Sequence, residues 1–198
     1  METRRARRHR KTSVFLALTL LLVGGAAAVS AAPDLFSATG PTGGPNGARG
    51  VEGGDRVTLN IPVGGLAPGA ATRGRHIVEN TSVQPLRYTL ASSSVDRDGK
   101  GLRDIVRVTI KASDPASPEG ACDSFNGTTL YAGRLGATAA GFGDPRIGGH
   151  AGDRLLAPGQ REALCFEIEM PLEAGNEFQG AVTASVWTIA TEQVDGNS

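Results

Sequence analysis

Short runs that alternate apolar and polar residues recur along this chain and restrict its fold more than any other feature. In the run 56–61, for example, Val57, Leu59 and Ile61 share one face. A period of two is typical of strands with one buried face, and turn residues separate the runs. No window holds an amphipathic helix of useful length, so we predict an all-β sandwich. For the last run, the sequence does not decide which face is buried, because Val186 and Trp187 lie on opposite faces. The predicted strands are 56–61, 75–79, 85–91, 105–111, 129–131, 161–170 and 181–191.

The tetrapeptide Leu-Ala-Pro-Gly occurs twice, at residues 66–69 and 156–159, and each copy comes just before a predicted strand. Pro presets the backbone of a turn and Gly supplies the permissive dihedral angles. We therefore predict that the two following strands enter their sheet in similar ways.

The first 31 residues have the pattern of a secretory signal peptide. Six basic residues between Arg4 and Lys11 precede an apolar run at 13–29, which ends at the small residues Ser30 and Ala31. This order is typical of a cleaved signal. An uncleaved membrane anchor is the alternative, since the run is near the lower length limit for a span. We predict cleavage near Ala31 and a secreted chain that meets the membrane only through this segment.

Removal of residues 1–31 changes the charge balance of the chain. That segment holds six of the 20 basic residues and one of the 20 acidic residues, which leaves 14 basic and 19 acidic residues. A net negative chain argues against a nucleic-acid partner, which requires a clustered basic face. The remaining length fits one domain.

Residues 32–54 form a predicted N-terminal arm, and residues 55–198 form the predicted sandwich domain. The arm is rich in Gly, Pro and Ala. Such a segment cannot bury enough apolar surface to order itself. Within the arm, only Leu35 and Phe36 offer an apolar anchor.

Cys122 and Cys165 are the two cysteines of the chain. In an exported protein an isolated pair is predicted to form a structural disulfide. The alternative, a redox or nucleophilic cysteine, requires a CxxC spacing or a nearby histidine, and the sequence shows neither. Cys165 shares the phase of Glu167 and Glu169, the solvent face of its strand. The bridge is therefore predicted to hold the loop 113–128 across the outside of a sheet.

The sequence lacks a recognisable catalytic pattern. A catalytic zinc needs three protein ligands, and His76 and His150 are the histidines that follow residue 31. We interpret His76 as a surface or half-buried strand residue and His150 as a solvated loop residue; a zinc site built from both and a carboxylate is the alternative. There is no GxSxG motif. Residues 96–99 resemble a calcium loop, but Lys100 and Gly101 interrupt the ligand spacing, which favours a turn. We predict no catalytic residue, metal or cofactor.

Two groups of motif residues frame the predicted domain. The first is residues 66–69 (LAPG), a strand, and then residues 79–82 (ENTS). The second is residues 176–180 (NEFQG), a strand, and then residues 190–193 (ATEQ). In combination they resemble the opening "L-x-PG … x-N-x-G/S" and the close "N-x-aromatic-Q-G … aromatic-x-aromatic-x-A-x-x-Q" of the TasA/camelysin (CalY-like) family of secreted bacterial surface and biofilm-matrix proteins. Trp187 and Ile189 stand in the aromatic places. The residues that carry the resemblance are Leu66, Pro68, Gly69, Asn80, Asn176, Phe178, Gln179 and Gln193.

The resemblance implies a jelly-roll-like or immunoglobulin-like sandwich that assembles into, or decorates, an extracellular fibre or biofilm matrix. It also implies self-association through the N-terminal arm, or binding to other matrix or cell-surface proteins. Residues 34–39, with Leu35 and Phe36, are the segment able to act as a donor strand. Camelysin-type members have been described as metallopeptidases, so a secreted metallopeptidase is one alternative. A monomeric surface-binding sandwich module is the other.

Overall fold

The computed structural model describes residues 30–31, 37–39, 48–113 and 122–194, and this part of the chain is an all-β sandwich of two six-stranded sheets. Its other regular elements are two short 3-10 helices, Leu102–Asp104 and Asn176–Phe178. Within these ranges no helix is long and apolar enough to span a membrane. The strands are β1 (Ser30–Ala31), β2 (Ser37–Thr39), β3 (Ala48–Val51), β4 (Arg56–Gly64), β5 (Ala71–Asn80), β6 (Leu86–Asp96), β7 (Arg107–Ala112), β8 (Thr128–Arg134), β9 (Gly141–Phe142), β10 (Arg154–Leu156), β11 (Arg161–Glu169) and β12 (Val182–Gln193).

Eight of the strands wind between the two sheets as a jelly roll. Sheet A contains β5–β11–β7–β8 and sheet B contains β10–β6–β12–β4, with antiparallel neighbours throughout. We number these eight strands from one to eight in chain order, beginning with β4 and omitting the short β9. The order across sheet A is then second, seventh, fourth and fifth, and the order across sheet B is sixth, third, eighth and first. This interleaving is that of the jelly roll. The sandwich prediction is confirmed, and the strand order favours the jelly roll over the immunoglobulin-like arrangement.

All seven predicted strands are present, as β4 to β8, β11 and β12. The short strands β9 and β10 were not predicted, because two or three residues cannot display an alternation. β9 also depends on a close approach to β6. Gly141 has φ 134°, and a Cβ atom there would lie 1.9 Å from the carbonyl oxygen of Leu90. Only glycine allows this pairing.

Trp187 lies at the centre of the core between the sheets and is fully buried. Its ring lies edge-on to the ring of Phe166, at 5.7 Å between centroids, and to that of Tyr131, at 6.5 Å. Trp187 and Ile189 therefore face inward and Val186 faces outward, which settles the phase of the last strand. The alternation was ambiguous in sequence because polar residues of β12 also face the core, namely Thr183, Ser185 and Thr191.

A second apolar cluster lies on the outer face of sheet A. The disulfide between Cys122 and Cys165, with Cα atoms 5.2 Å apart, holds a turn against this face. The ring of Phe125 in that turn contacts the Arg73 guanidinium at 4.8 Å and the Lys111 ammonium at 4.6 Å. Cys165 is thus buried beneath a covering turn, although its phase is that of the solvent face. The predicted disulfide and its placement outside the sheet are confirmed.

Two segments of the predicted arm are paired with strands of the sandwich. β2 runs antiparallel to β4, with Thr39 opposite Thr58, and β3 runs parallel to β5, with Val51 opposite Asn80. Val51 is fully buried in the core. The expectation that this composition leaves the arm without order is wrong for these two segments. Hydrogen bonds to existing strand edges, together with burial of Val51, supply what the composition lacks.

Candidate functional site

The residues that carry the family resemblance lie at the two ends of the antiparallel pair β5 and β11. Leu66, Pro68 and Gly69 precede β5, and residues 176–179 lie beside them at the same end of the sandwich. The remaining two, Asn80 and Gln193, lie at the opposite end, where they are the last residues of β5 and β12. The structure therefore divides the motif between two places.

At the first end, motif residues line a cavity of about 350 Å³. Its lining is mainly apolar, and no lining residue carries a titratable side chain. The cavity can accept an apolar group, but it supplies no acid, base or nucleophile. Motif residues that contribute to the lining are Leu66, Pro68, Asn176, Phe178 and Gln179, above a floor that includes Leu102, Val106 and Met170.

The two Leu-Ala-Pro-Gly turns make matching hydrogen bonds at opposite ends of β5 and β11. The backbone N–H of Gly69 donates to the carbonyl oxygen of Met170 at 2.8 Å. In the second turn, the N–H of Gly159 donates to the carbonyl oxygen of Asn80 at 2.9 Å. Each turn thus joins the residue two positions before one strand to the end of the partner strand, at Asn80 in β5 and at Met170 directly after β11. This confirms the predicted similarity of the two strand entries.

The side chain of Asn80 is fully buried and holds the second turn in place. Its Nδ2 donates to the carbonyl oxygens of Gln84, at 2.9 Å, and of Leu156, at 3.0 Å. Its Oδ1 accepts from the backbone N–H of Ser82 at 2.9 Å and from the Ser82 hydroxyl at 2.7 Å. Asn80 therefore has a structural role in connecting the β5–β6 corner to the turn before β11.

A buried carboxylate that sequence reasoning missed joins the two sheets. Glu162 of β11 accepts hydrogen bonds from the Tyr88 hydroxyl of β6 and from Nε of Arg154 of β10, the latter at 3.2 Å. Glu162 is 3% exposed and Tyr88 is fully buried. The signal was present in the sequence, because Glu162 has the same phase as Leu164 and Phe166 in a strand whose other face is charged. This cluster uses its polar atoms on one another and serves cohesion between the sheets.

The ionisation of Tyr88 gives a direct test of this cluster. Burial, together with the adjacent negative charge of Glu162, raises the pKa of Tyr88 well above its usual value. Partial burial also raises the pKa of Tyr131, the other tyrosine of the chain. The unfolded chain loses the Tyr88 proton near pH 10, whereas the folded chain retains it. We expect full stability below that pH and a loss of about 1.4 kcal/mol per pH unit above it.

Ultraviolet titration of single-tyrosine variants measures this difference. In Tyr131→Phe, the remaining phenol is expected to ionise only when the protein unfolds in alkali. In Tyr88→Phe, the remaining phenol of Tyr131 is expected to ionise reversibly in the folded protein. Ionisation of Tyr88 near pH 10 without loss of structure would contradict the buried cluster.

The two histidines considered as metal ligands lie in different settings. His76 falls on the core-facing phase of β5 opposite Leu164 and is 3% exposed, so its interpretation as a surface or half-buried residue is wrong. His150 is half-buried in the loop before β10, where its backbone N–H donates to Asp153 at 2.7 Å. Among the residues that the structure describes, no three His, Cys, Asp or Glu side chains are placed to hold a metal ion.

The edges of β4 and β5 are the candidate site for assembly. β2 occupies the edge of β4 in sheet B, and β3 occupies the edge of β5 in sheet A. An uncovered strand edge presents backbone donors and acceptors that accept an incoming strand. Leu35 and Phe36, the predicted apolar anchor, lie outside the described residues.

Compared with known proteins, the chain matches no protein-family model, and no curated protein matches it significantly. The resemblance to the TasA/camelysin family therefore stays a prediction based on the motif residues.

Proposed function

We propose that this chain is an exported, non-enzymatic structural protein that builds or decorates an extracellular assembly by exchanging its N-terminal arm between copies. The observation that carries the proposal is the pairing of β2 with the edge of β4 and of β3 with the edge of β5. An arm that closes edges within one copy can close the same edges in a neighbour, since the hydrogen bonds are identical.

Two further features support export. The disulfide between Cys122 and Cys165 suits an oxidising compartment. The signal-like segment 1–31 precedes the arm. Cleavage near Ala31 would remove β1 and leave β2 and β3 as the strands of the mature arm.

A monomeric surface-binding module is the second candidate function, and one observation favours it. Both arm strands pair within the same chain, so a single copy already closes its own edges. Assembly must then release the arm, whereas a monomeric module would keep it in place. The two functions differ in whether the arm strand is found on its own β4 or on that of a neighbour.

A cysteine pair at register-matched positions distinguishes these functions. Thr39→Cys is introduced in one chain and Thr58→Cys in another, because these positions lie opposite each other in the β2–β4 pair. After mixing, we expect filaments in which a disulfide joins position 39 of one copy to position 58 of the next. Electron microscopy and mass spectrometry of the cross-linked peptides provide the measurement. A mixture of Thr39→Cys with Thr109→Cys, on the outer face of sheet A, is the matched control.

The arm's contribution to folding must be separated from its contribution to assembly. A chain that begins at Ala48 loses β2 but keeps β3 and the buried Val51. We expect this chain to stay folded and to form no filaments. If filaments form without β2, or if no intermolecular cross-link appears in filaments of the full arm, the exchange mechanism is wrong. If the full chain stays monomeric at all concentrations, the monomeric module is the better description.

A further inference from the structure

The outer face of sheet B has no charged residue across the middle of three adjacent strands. We call this surface the neutral face and define it as the outward-facing residues of the segments 58–62, 91–95 and 182–190. They are Ala, Val, Pro, Thr, Ser and Asn only. Val95 and Val182 are 55% and 53% exposed.

The outer face of sheet A shows what a water-facing sheet of the same chain looks like. It carries ion pairs such as Arg73 with Glu167, at 2.6 Å, and Arg107 with Glu173, at 2.9 Å. Its apolar part is covered by the turn that the disulfide holds. The neutral face has neither charges nor, among the described residues, such a covering turn.

The shape of the neutral face suits contact with another sheet. Its side chains are short or β-branched, so they form a flat surface. Flat sheet faces pack against each other at about 10 Å with their side chains interdigitated. The face also lacks the aromatic side chains that bind flat ligands by stacking.

Charged groups of opposite sign border the neutral face at its two ends. Arg56 lies at one end, opposite Ala190, and lines one cavity with the ion-paired residues Asp144 and Arg146. Among the described residues, no ion pair includes Arg56. Asp98 lies at the other end, where its carboxylate accepts the backbone N–H of Val182 at 2.9 Å. Backbone hydrogen bonds from Lys100 and Val182 lower the pKa of Asp98, so this carboxylate is charged at neutral pH.

We propose that the neutral face is a contact surface between two copies of this chain, packed face to face with their strands antiparallel. A two-fold axis that lies across the strands at Val186 brings the Arg56 end of each copy onto the Asp98 end of the other. The arrangement forms two equivalent Arg56–Asp98 contacts and places like residues together only at the neutral centre. The opposite arrangement, with strands parallel, would bring Arg56 onto Arg56 and is disfavoured.

The size of the face sets the expected strength of the contact. The 19 residues of the three segments, each covering about 4.8 Å by 3.4 Å, give roughly 300 Å² per copy, or about 600 Å² in total. This is below the size of standard specific interfaces, so two free copies should associate only weakly. The contact does not involve the arm, and it would join filaments side by side where many copies are arrayed.

Sedimentation equilibrium of the oxidised chain, with Thr39→Cys/Thr58→Cys closed within each copy, tests the contact without arm exchange. Because Thr58 belongs to the neutral face, this locked chain is the common background for every variant that is compared. We expect a weak monomer–dimer equilibrium. Val186→Lys places two lysines together at the axis and is expected to raise the dimer dissociation constant by about tenfold or more. Thr109→Lys, a comparable substitution on the outer face of sheet A, is expected to leave it unchanged. Thermal unfolding confirms that both variants remain folded.

A double-mutant cycle tests the antiparallel arrangement without disturbing the centre of the face. Asp98→Asn removes the charge at one end and keeps one of the two oxygens that accept the backbone N–H groups of Lys100 and Val182. Arg56→Gln removes the charge at the other end. Each is expected to weaken the dimer by a few-fold, and the double variant should be no weaker than either single variant. A chain that stays monomeric at all concentrations, or equal effects of Val186→Lys and Thr109→Lys, would overturn the proposal. Additive effects of the two end substitutions would overturn the antiparallel arrangement.

Discussion

Replacement of Glu162 with alanine is expected to lower the free energy of unfolding by about 3 kcal/mol, because it removes one partner of a buried ion pair. The carboxylate is 4% exposed and bonds to both Tyr88 and Arg154. Its loss leaves the Tyr88 hydroxyl buried without its acceptor. The Arg154 side chain is 33% exposed and can turn partly toward water, which keeps the effect at the lower end of the range for buried pairs. Urea unfolding measures the loss.

A glutamate in a similar position on the outer face provides the control for this result. Glu79 of β5 pairs with Arg161 at 3.5 Å, and both side chains are about one-third exposed. Glu79→Ala is expected to cost no more than about 1 kcal/mol, as exposed pairs do. A second comparison replaces the whole cluster with apolar residues, as Glu162→Met, Arg154→Met and Tyr88→Phe, and should recover most of the lost stability. Equal losses for Glu162→Ala and Glu79→Ala would contradict the buried cluster.

The strands of the sandwich were predictable because most of them bury apolar residues on one face. In β4, Val57, Leu59, Ile61 and Val63 all face the core, so the period of two is visible without knowledge of the partner strands. β12 was predicted as a strand, but the sequence did not show which of its faces is buried. Its inward face mixes Trp187 with threonine and serine, and its outward face carries valine and alanine. Hydropathy alone cannot assign such a strand to a core.

The arm shows a different limit of sequence reasoning. β2 and β3 owe their order to hydrogen bonds with β4 and β5. These two partner strands belong to opposite sheets. Composition measures what a segment can bury by itself, whereas strand addition depends on an edge that another segment provides. Val51 was assigned to the arm although it is fully buried in the core, because a single valine among glycines gives no periodic signal.

The candidate site was predicted in part. The motif residues Leu66 and Phe178 do meet at one end of the sandwich, where they line one cavity. Asn80 is separated from them by the length of β5, and its role became clear only from its bonds to Gln84 and Leu156. The cluster around Glu162 was missed because its partners lie on β6 and β10, and sequence spacing does not show that these strands face β11.

Removal of the disulfide by Cys122→Ser/Cys165→Ser is expected to lower the free energy of unfolding by about 3 kcal/mol. The bridge closes a loop with a sequence separation of 43 residues, and in the chain-entropy model such a loop contributes up to about 4 kcal/mol. At about 2 to 4 °C per kcal/mol, the loss corresponds to a decrease in Tm of roughly 6 to 12 °C. Thermal unfolding of the oxidised and substituted chains measures it.

The position of the bridge predicts where the loss acts first. The disulfide lies outside sheet A, so its removal should release the turn around Phe125 while Trp187 stays packed between the sheets. Amide hydrogen exchange is expected to increase around residues 122–127 before it increases in β11 or β12. Phe125→Ala, which keeps the bridge but removes the ring between Arg73 and Lys111, is the control and should cost less than the loss of the bridge. A uniform increase in exchange across both sheets would instead show that the bridge supports the whole sandwich, contrary to its place on the outer face.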